Sequence, residues 1–396
     1  MRILIVAGAF GGENREPWLL DDLAIAFADA GDDVDVLAYD TRLGRSPGIN
    51  PYPDKRIRVF GVGPTTTRSG RLGKIVNYVA AGLGLHRQGF QLVRCRRYDL
   101  CVYTSIGIFS WGLPARLRRA GVVRHCVFVL WDFFPVHQLE IGRLTQRVLD
   151  APLRALEALS MKPTDAIAVM SPANERYLRA YHRSVRVRTI IVPPWASDPT
   201  DGNATNVARR ERFTVIFGGQ LVAGRGVDVL LEAARRLQDD NIPIELLIVG
   251  DGPARAGLTA VANRVGLINT SFLGKLPRAD YRTLLQSVHV GVAITVPGVS
   301  PPTFPSKIVE YCAAGLPVVV CLEAASDAGA IIESAGAGLA VPAGDVARLA
   351  SAFATLYTEY RRGSLQSRSR RARELFQERL SVSKAVVTLR SVAIQQ

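Results

Sequence analysis

The run PPTFPSKIVEYCAAGLPVVV (301–320) places Thr303, Ser306 and Lys307 just ahead of an apolar-periodic segment, with Glu310 one turn further on. Ile308, Val309, Cys312 and Ala313 recur at helical spacing, Gly315 stops the helix, and Val318–Val320 begin a buried strand. Ser306 reads as the N-cap or a first-turn residue. A helix start presents free N–H groups and partial positive charge, which suits an anion, and Lys307 adds a full charge there. An ordinary capped helix would carry the same signature, so other strand ends have to decide whether a phosphate belongs here.

Several do. FGGQLVAGRGVDVLLEAA (217–234) follows a strand with a glycine pair, Gly218–Gly219, and then opens a helix at Arg225–Gly226, again a cation at a helix start. LLIVGDGPARAGL (246–258) ends a strand in the turn Gly250–Asp251–Gly252–Pro253, and SFLGKLPRADYRTLL (271–285) ends another at Lys275 and Leu276. Near the amino terminus AGAFGGENREPW (7–18) offers Gly8, Gly11 and Gly12 after a first strand, without the spacing of a nicotinamide-cofactor fingerprint, although Asp40 stands where that fingerprint wants an acid. In FVLWDFFPVHQLEIGRL (128–144) Asp132, His137 and Glu140 follow a strand end, where a carboxylate or imidazole can orient or deprotonate an acceptor hydroxyl. The same residues also suit a turn cap and a structural hydrogen bonder; Trp131, Phe133 and Phe134 suit an acceptor wall or core. His86 and His182 read as surface residues, and His125 and His289 receive no role.

The elements that must position these groups alternate. Apolar runs at 3–8, 33–39, 99–105, 125–131 and 165–170 are separated by helical patterns such as 19–31 and SPANERYLRAY (171–181), where Ser171 caps and Pro172 takes the first helical position. PPWASDPTDGNATN (193–206) reads as a linker, after which the alternation restarts at 213–219. Strands alternating with helices predict parallel α/β units. A chain of 396 residues predicts two of them, over 1–195 and 207–378, with a helix at 379–396 packing back on the first.

Five cysteines, Cys95, Cys101, Cys126, Cys312 and Cys321, form no CxxC pair and no zinc spacing, and read as small hydrophobes in a reducing compartment. The opening MRILIVAGAF reads as a strand rather than a signal peptide, and no run is long and apolar enough to span a membrane. The net charge of +14 attracts polyanions or phosphorylated substrates. Its arginines clump around 68–97, 116–124 and 368–373, away from the strand ends, and no aromatic-basic motif of nucleic-acid binding accompanies them. The stretch 71–100 mixes basic and apolar residues at helical spacing, which suits either an anionic membrane surface or a core helix with a basic outer face.

Taken in order, the G-x-L loop with its basic-Gly pair, LLEAARRL, LLIVGDGP, FLGKLPRADYRTLLQSVHVGVAI and SKIVEYCAAGLPVVV resemble the donor domain of glycosyltransferase family 4 over about 213–345. The first half, MRILIVAGAFGG with LAIAFADAGDDVDVLAYD, resembles the family more loosely, and the PSK form is similar to bacterial surface-polysaccharide members. The resemblance implies a GT-B fold, two Rossmann-like domains facing each other across a cleft. It implies donor contacts from Gly11, Gly12, Gly219, Gly250, Asp251 and Gly252, with Lys275 and Leu276 flanking the base. It implies Arg225, Ser306 and Lys307 at the donor diphosphate and Glu310 on the ribose hydroxyls. Two departures stand out: Pro302 replaces a glutamate that often contacts the donor sugar, and Gln220 replaces a second phosphate arginine.

The expected activity is retaining transfer of a sugar from a nucleoside-diphosphate donor, UDP-linked, to a polyprenyl-diphosphate-linked or saccharide acceptor in surface polysaccharide assembly. Arg225 and Lys307 would stabilise the leaving diphosphate, and Asp132 and His137 would act on the acceptor. No metal or other cofactor is expected, nor nucleic acid as partner. The expected location is cytoplasmic and peripheral on the inner face of the cell membrane. The alternatives are a nucleotide-sugar epimerase or hydrolase on the same fold, or a non-catalytic basic binding protein.

Overall fold

A computed structural model of the chain describes residues 1–8, 10–11, 18–38, 48–50, 52–62, 76, 80, 82–104, 112–140, 148, 150–199 and 207–394. It divides into two compact units, 1–193 with 382–396, and 194–381. The sequence reading set the divisions at 195, 207 and 379. The linker tip 200–206, Gly12, Asp40 and most of 63–81 lie outside the described residues.

The first unit holds β1 (Arg2–Ala7), β2 (Asp33–Ala38), β3 (Gly48–Asn50), β4 (Ile57–Gly61), β5 (Tyr98–Thr104), β6 (Val123–Leu130), β7 (Ala166–Val169) and β8 (Arg188–Ile191). They pair in the order β3-β4-β2-β1-β5-β6-β7-β8, parallel except for β3. The strands are apolar along nearly their whole length because crossover helices cover both faces of a parallel sheet, so there is no solvent side to alternate with. β1 shows it: every residue after Arg2 is buried. The edge strands β3 and β8, and β4 next to β3, are short and mixed in character, and hydropathy alone does not separate them from loops.

The helix Val382–Ile394 belongs to this first unit. Its buried residues Val382, Ala385, Val386, Leu389 and Val392 form one stripe, and it packs beside the helix Leu19–Asp29. Arg390 lies 3.4 Å from Asp32, whose buried carboxylate also holds the terminal ammonium of Met1 at 2.8 Å.

The second unit holds β9 (Thr214–Gly218), β10 (Glu245–Val249), β11 (Thr270–Gly274), β12 (Val290–Ile294), β13 (Val318–Leu322) and β14 (Gly338–Pro342). All pairs are parallel, in the order β11-β10-β9-β12-β13-β14. This is the doubly wound arrangement, in which winding runs outward from β9 in one direction and from β12 in the other. Its core is built from the Val, Ile and Leu of the central strands, with Leu230, Leu231, Leu349, Phe353 and Leu356 from two covering helices.

The histidines correct the sequence reading. His182 is buried, 3% exposed, and not a surface residue; His86 is half-buried, and its pKa is lowered by burial and by Arg116. Cys95 is exposed, while the other four cysteines are buried. His289, which was given no role, is 2% exposed, and its Nδ1 accepts the Thr214 N–H at 3.1 Å. Burial, aided by Arg209, pushes its pKa down to about 4, while Glu245 acts in the opposite sense.

A base whose folded pKa is depressed stays neutral in the fold while the unfolded chain takes up a proton. His289 therefore contributes stability that is complete above about pH 6.5 and is lost as pH falls toward 4. His289→Gln is expected to flatten that part of the curve of melting temperature against pH. An unchanged slope between pH 6.5 and 4 would contradict it.

Candidate functional site

Open α/β sheets bind ligands beyond the carboxyl ends of their strands where the winding reverses, because the two connections there leave in opposite directions. In the second unit that point lies between β9 and β12. The segments leaving it are 219–226, which carries Gly219 and Arg225, and 295–305, which leads into the helix bearing Ser306, Lys307 and Glu310.

The loop after β9 is fastened to its neighbours through backbone groups. Gly219 N–H donates to Val249 O at 2.9 Å, Leu221 N–H to Asp251 O at 3.0 Å, and Ala254 N–H to Leu221 O at 2.9 Å. Gly250 has φ +135°, and a side chain there would run into the Gly219 carbonyl. The Gly-Asp-Gly turn thus knits two loops together, with Asp251 exposed beyond them and 3.8 Å from Arg255.

Arg225 stands exposed on this fastened loop, immediately before the N-cap Gly226 of the helix Val227–Asp239. Gly226 has φ +72°, and a Cβ on it would lie 2.8 Å from the Thr295 carbonyl and 3.0 Å from Ile294. The absent side chain lets the helix start sit directly on the end of β12, which brings Arg225 to the reversal point.

The loop after β12 is held from the far side by Glu323, which follows β13 and is only 4% exposed. Its carboxylate accepts the Thr295 hydroxyl and the Thr303 N–H, each at 2.7 Å, and Ser326 donates to Thr303 O at 2.6 Å. Both ends of the loop leading into the helix Ser306–Ala313 are therefore pinned by one buried acid. The N-cap is Pro305, so Ser306 is the first helical residue and not the cap.

Within that helix Lys307 Nζ lies 3.1 Å from Glu310 Oε2, both side chains about one-third exposed. Tyr311, fully buried on Gly291, accepts the Gly218 N–H at 3.0 Å and locks the helix to the end of β9. At the opposite end of the helix Arg373 donates to Ala313 O at 2.7 Å and grips both oxygens of Asp198. The structure thus gathers Arg225, Ser306, Lys307 and Glu310 on connections leaving the reversal point. Lys275 is exposed and Leu276 half-buried on the connection after β11, beyond Gly250, whose N–H donates to Gly274 O at 2.7 Å.

In the first unit the corresponding reversal lies between β1 and β5. Gly11 is buried there, and its N–H is engaged by Asp21 Oδ1 at 2.7 Å rather than offered to a ligand; Trp18 N–H meets Oδ2 at 3.0 Å. One carboxylate therefore ties both ends of 11–18. After β6, Asp132 is exposed and His137 half-buried on the short helix Val136–Glu140, and among the described residues no hydrogen bond joins them. Phe133 is core, 1% exposed, and Trp131 meets Trp18 at a tilt of 57°, with ring centroids 5.9 Å apart.

What fixes this segment is a buried pair that sequence reasoning missed. Glu157 Oε2 lies 2.7 Å from His182 Nε2, and Oε1 accepts the Phe134 N–H at 2.8 Å. Burial raises the Glu157 pKa against the pull of His182. Neither residue follows a strand, so position gave no signal. Glu323 does follow one, and the rule applied to Asp132 would have found it.

Residues 212–359 match the family model described as Glycosyl transferases group 1, and residues 20–195 that described as Glycosyl transferase 4-like domain. D-rhamnosyltransferase WbpZ of Pseudomonas aeruginosa is 32% identical over 151 residues, 36% of this chain and 38% of that protein. WcaI of Escherichia coli, described as a colanic acid biosynthesis glycosyl transferase, is 29% identical over 123 residues, 30% of this chain and 29% of that protein. The chain spans between 26% and 40% of the length of the curated relatives it matches. Among solved structures, WaaG, a glycosyltransferase involved in lipopolysaccharide biosynthesis, superposes with a TM-score of 0.66 at 16% identity over 99% of this chain and 98% of that one. Sucrose-phosphate synthase from Thermosynechococcus elongatus gives 0.68 at 18%, over 100% and 96%. These two likenesses carry the fold alone.

Gly250→Ala is expected to cost about 2–3 kcal/mol through a forced backbone change, a drop of roughly 5–10 °C in the melting of the second unit by calorimetry. A melt within a degree of wild type would show that the two loops are not fastened as described.

With both units matched in sequence order and the two parallel sheets superposing on enzymes of the GT-B fold, the chain belongs to the group 1, family 4-like glycosyltransferases.

Proposed function

We propose that the protein transfers a sugar, with retention at the anomeric carbon, from a nucleoside-diphosphate donor to a lipid-linked or saccharide acceptor in surface polysaccharide assembly. The observation that carries this reading is the convergence of two cation-bearing helix starts, Arg225 and Lys307, on one sheet reversal point.

Breaking the bond between sugar and diphosphate leaves negative charge on the departing phosphate. Fixed positive groups already aimed at that charge stabilise it without reorganising. Arg225, Lys307 and the N–H groups opening Ser306–Ala313 supply such groups, and Glu310 would take the ribose hydroxyls. This cradle supplies its positive charge from the protein itself, so turnover is expected to survive EDTA. Retention, the uracil base and the roles of Asp132 and His137 at the acceptor rest on the family resemblance and on position after a strand.

An acceptor carried on a polyprenyl diphosphate would draw the enzyme to an anionic membrane from the cytoplasmic side. The exposed Arg87, Arg94, Arg97, Arg116 and Arg119 of the first unit supply charge for that. Among the described residues no helix is long and apolar enough to cross a membrane.

Thermal stabilisation across UDP, GDP, ADP, dTDP, NAD and a DNA duplex tests the donor, because a ligand held by the native state raises its melting temperature. A shift with one nucleoside diphosphate, abolished in Lys307→Ala, is the expected result. Lys307→Ala and Arg225→Ala are each expected to lower kcat by about 10²–10³. Normal rates in both, or a shift with NAD or DNA alone, would overturn the reading. Release of free or epimerised sugar without acceptor would favour the hydrolase or epimerase alternative.

A further inference from the structure

Lys307 and Glu310 neutralise each other across 3.1 Å. If Lys307 meets the donor diphosphate and Glu310 its hydroxyls, the donor competes with that ion pair. A lysine released from its carboxylate has a long flexible stem and a point charge with no preferred direction. Something else must keep the ammonium where the phosphate arrives.

We infer that Tyr281 is the positioning residue for Lys307, holding the ammonium over its ring face while Glu310 is engaged by the donor; this inference rests on the donor-site reading above. Lys307 Nζ lies 5.5 Å from the Tyr281 ring centroid, inside the range of a cation–π contact. The ring is well suited to the task because it is packed in place. Tyr281 is 9% exposed, on the helix Arg278–Ser287, and its hydroxyl abuts Gly218 where any side chain would collide with it. Gly218 is in turn fixed by Tyr311, whose hydroxyl accepts its N–H. Two phenols thus clamp the end of β9, and one of them turns its face to the lysine.

The Tyr281 hydroxyl lies near the Tyr311 phenol but makes no well-formed hydrogen bond among the described residues, although it is shut off from solvent. A buried hydroxyl without a good partner does not repay its desolvation. Burial also holds the phenol well above its ordinary pKa, so the ring stays neutral beside the lysine.

The test uses the full chain, with each of UDP, GDP, ADP and dTDP titrated by calorimetry against wild type, Tyr281→Leu, Tyr281→Phe, Lys307→Met and the Tyr281→Leu/Lys307→Met double variant. Circular dichroism melts confirm that each variant folds. Tyr281→Leu is expected to weaken diphosphate binding about 3–10-fold. Tyr281→Phe, which keeps the ring and discards the hydroxyl, is expected to restore it. In the Lys307→Met background Tyr281→Leu should add nothing, because the two residues act through one contact.

If Lys307→Met weakens binding but Tyr281→Phe loses as much as Tyr281→Leu, or the Leu effect persists in full in the double variant, the positioning role is overturned while the donor site stands. If no diphosphate binds, or Lys307→Met binds as wild type does, the donor-site reading is overturned and this inference with it.

Discussion

A parallel sheet wound outward in two directions has one place where neighbouring strands send their connections apart, and in the second unit that place is the gap between β9 and β12. Everything chemically distinctive about this unit hangs on that reversal. The two helices that follow the reversed strands both begin there. Each begins beside a cation, Arg225 before one and Lys307 in the first turn of the other. Two helix starts with two basic side chains concentrate positive potential without burying a charge, which would carry a heavy desolvation cost.

Rigidity at this point comes from groups that do no chemistry. Gly219 and Leu221 donate backbone hydrogen bonds to Val249 and Asp251, Leu221 accepts one from Ala254, and the absent side chain of Gly226 lets a helix start rest on the end of β12. Glu323 pins both ends of the loop before Ser306, and Arg373 anchors the far end of the helix that Ser306 begins. An Arg at a helix carboxyl terminus complements the dipole, as Lys307 opposes it at the amino terminus; the pairing of Lys307 with Glu310 relieves that opposition. The site is thus electrostatically unfavourable for its own helix unless an anion is supplied, by Glu310 or by a ligand.

The first unit repeats the principle with carboxylates. Asp21 ties both ends of the segment after β1, and Glu157, paired with His182, holds the Phe134 amide in the segment after β6. In both units buried acids shape the loops at strand ends by accepting backbone N–H groups. Such a group works only if fully satisfied, since removing one partner leaves a buried charge exposed to its full desolvation cost.

The sequence alone determined the alternation of strands and helices, the two-unit division, and the strand-end positions of Arg225, Lys307 and Glu310. These follow from local hydropathy and from Gly, Pro and Ser punctuation, which the chain carries along its length. The order of strands within each sheet is a long-range property, and only the tertiary structure decided it. It also decided that the Gly11 N–H donates to Asp21, that the absent side chain of Gly250 leaves room for the Gly219 carbonyl, and that His182 is buried against Glu157. Tyr281 is the sharpest case. Its nearness to Lys307 joins residues on two different helices across the end of β9. No periodicity records such a contact, because it is made only when the chain has folded and Gly218 has left room for the ring to enter.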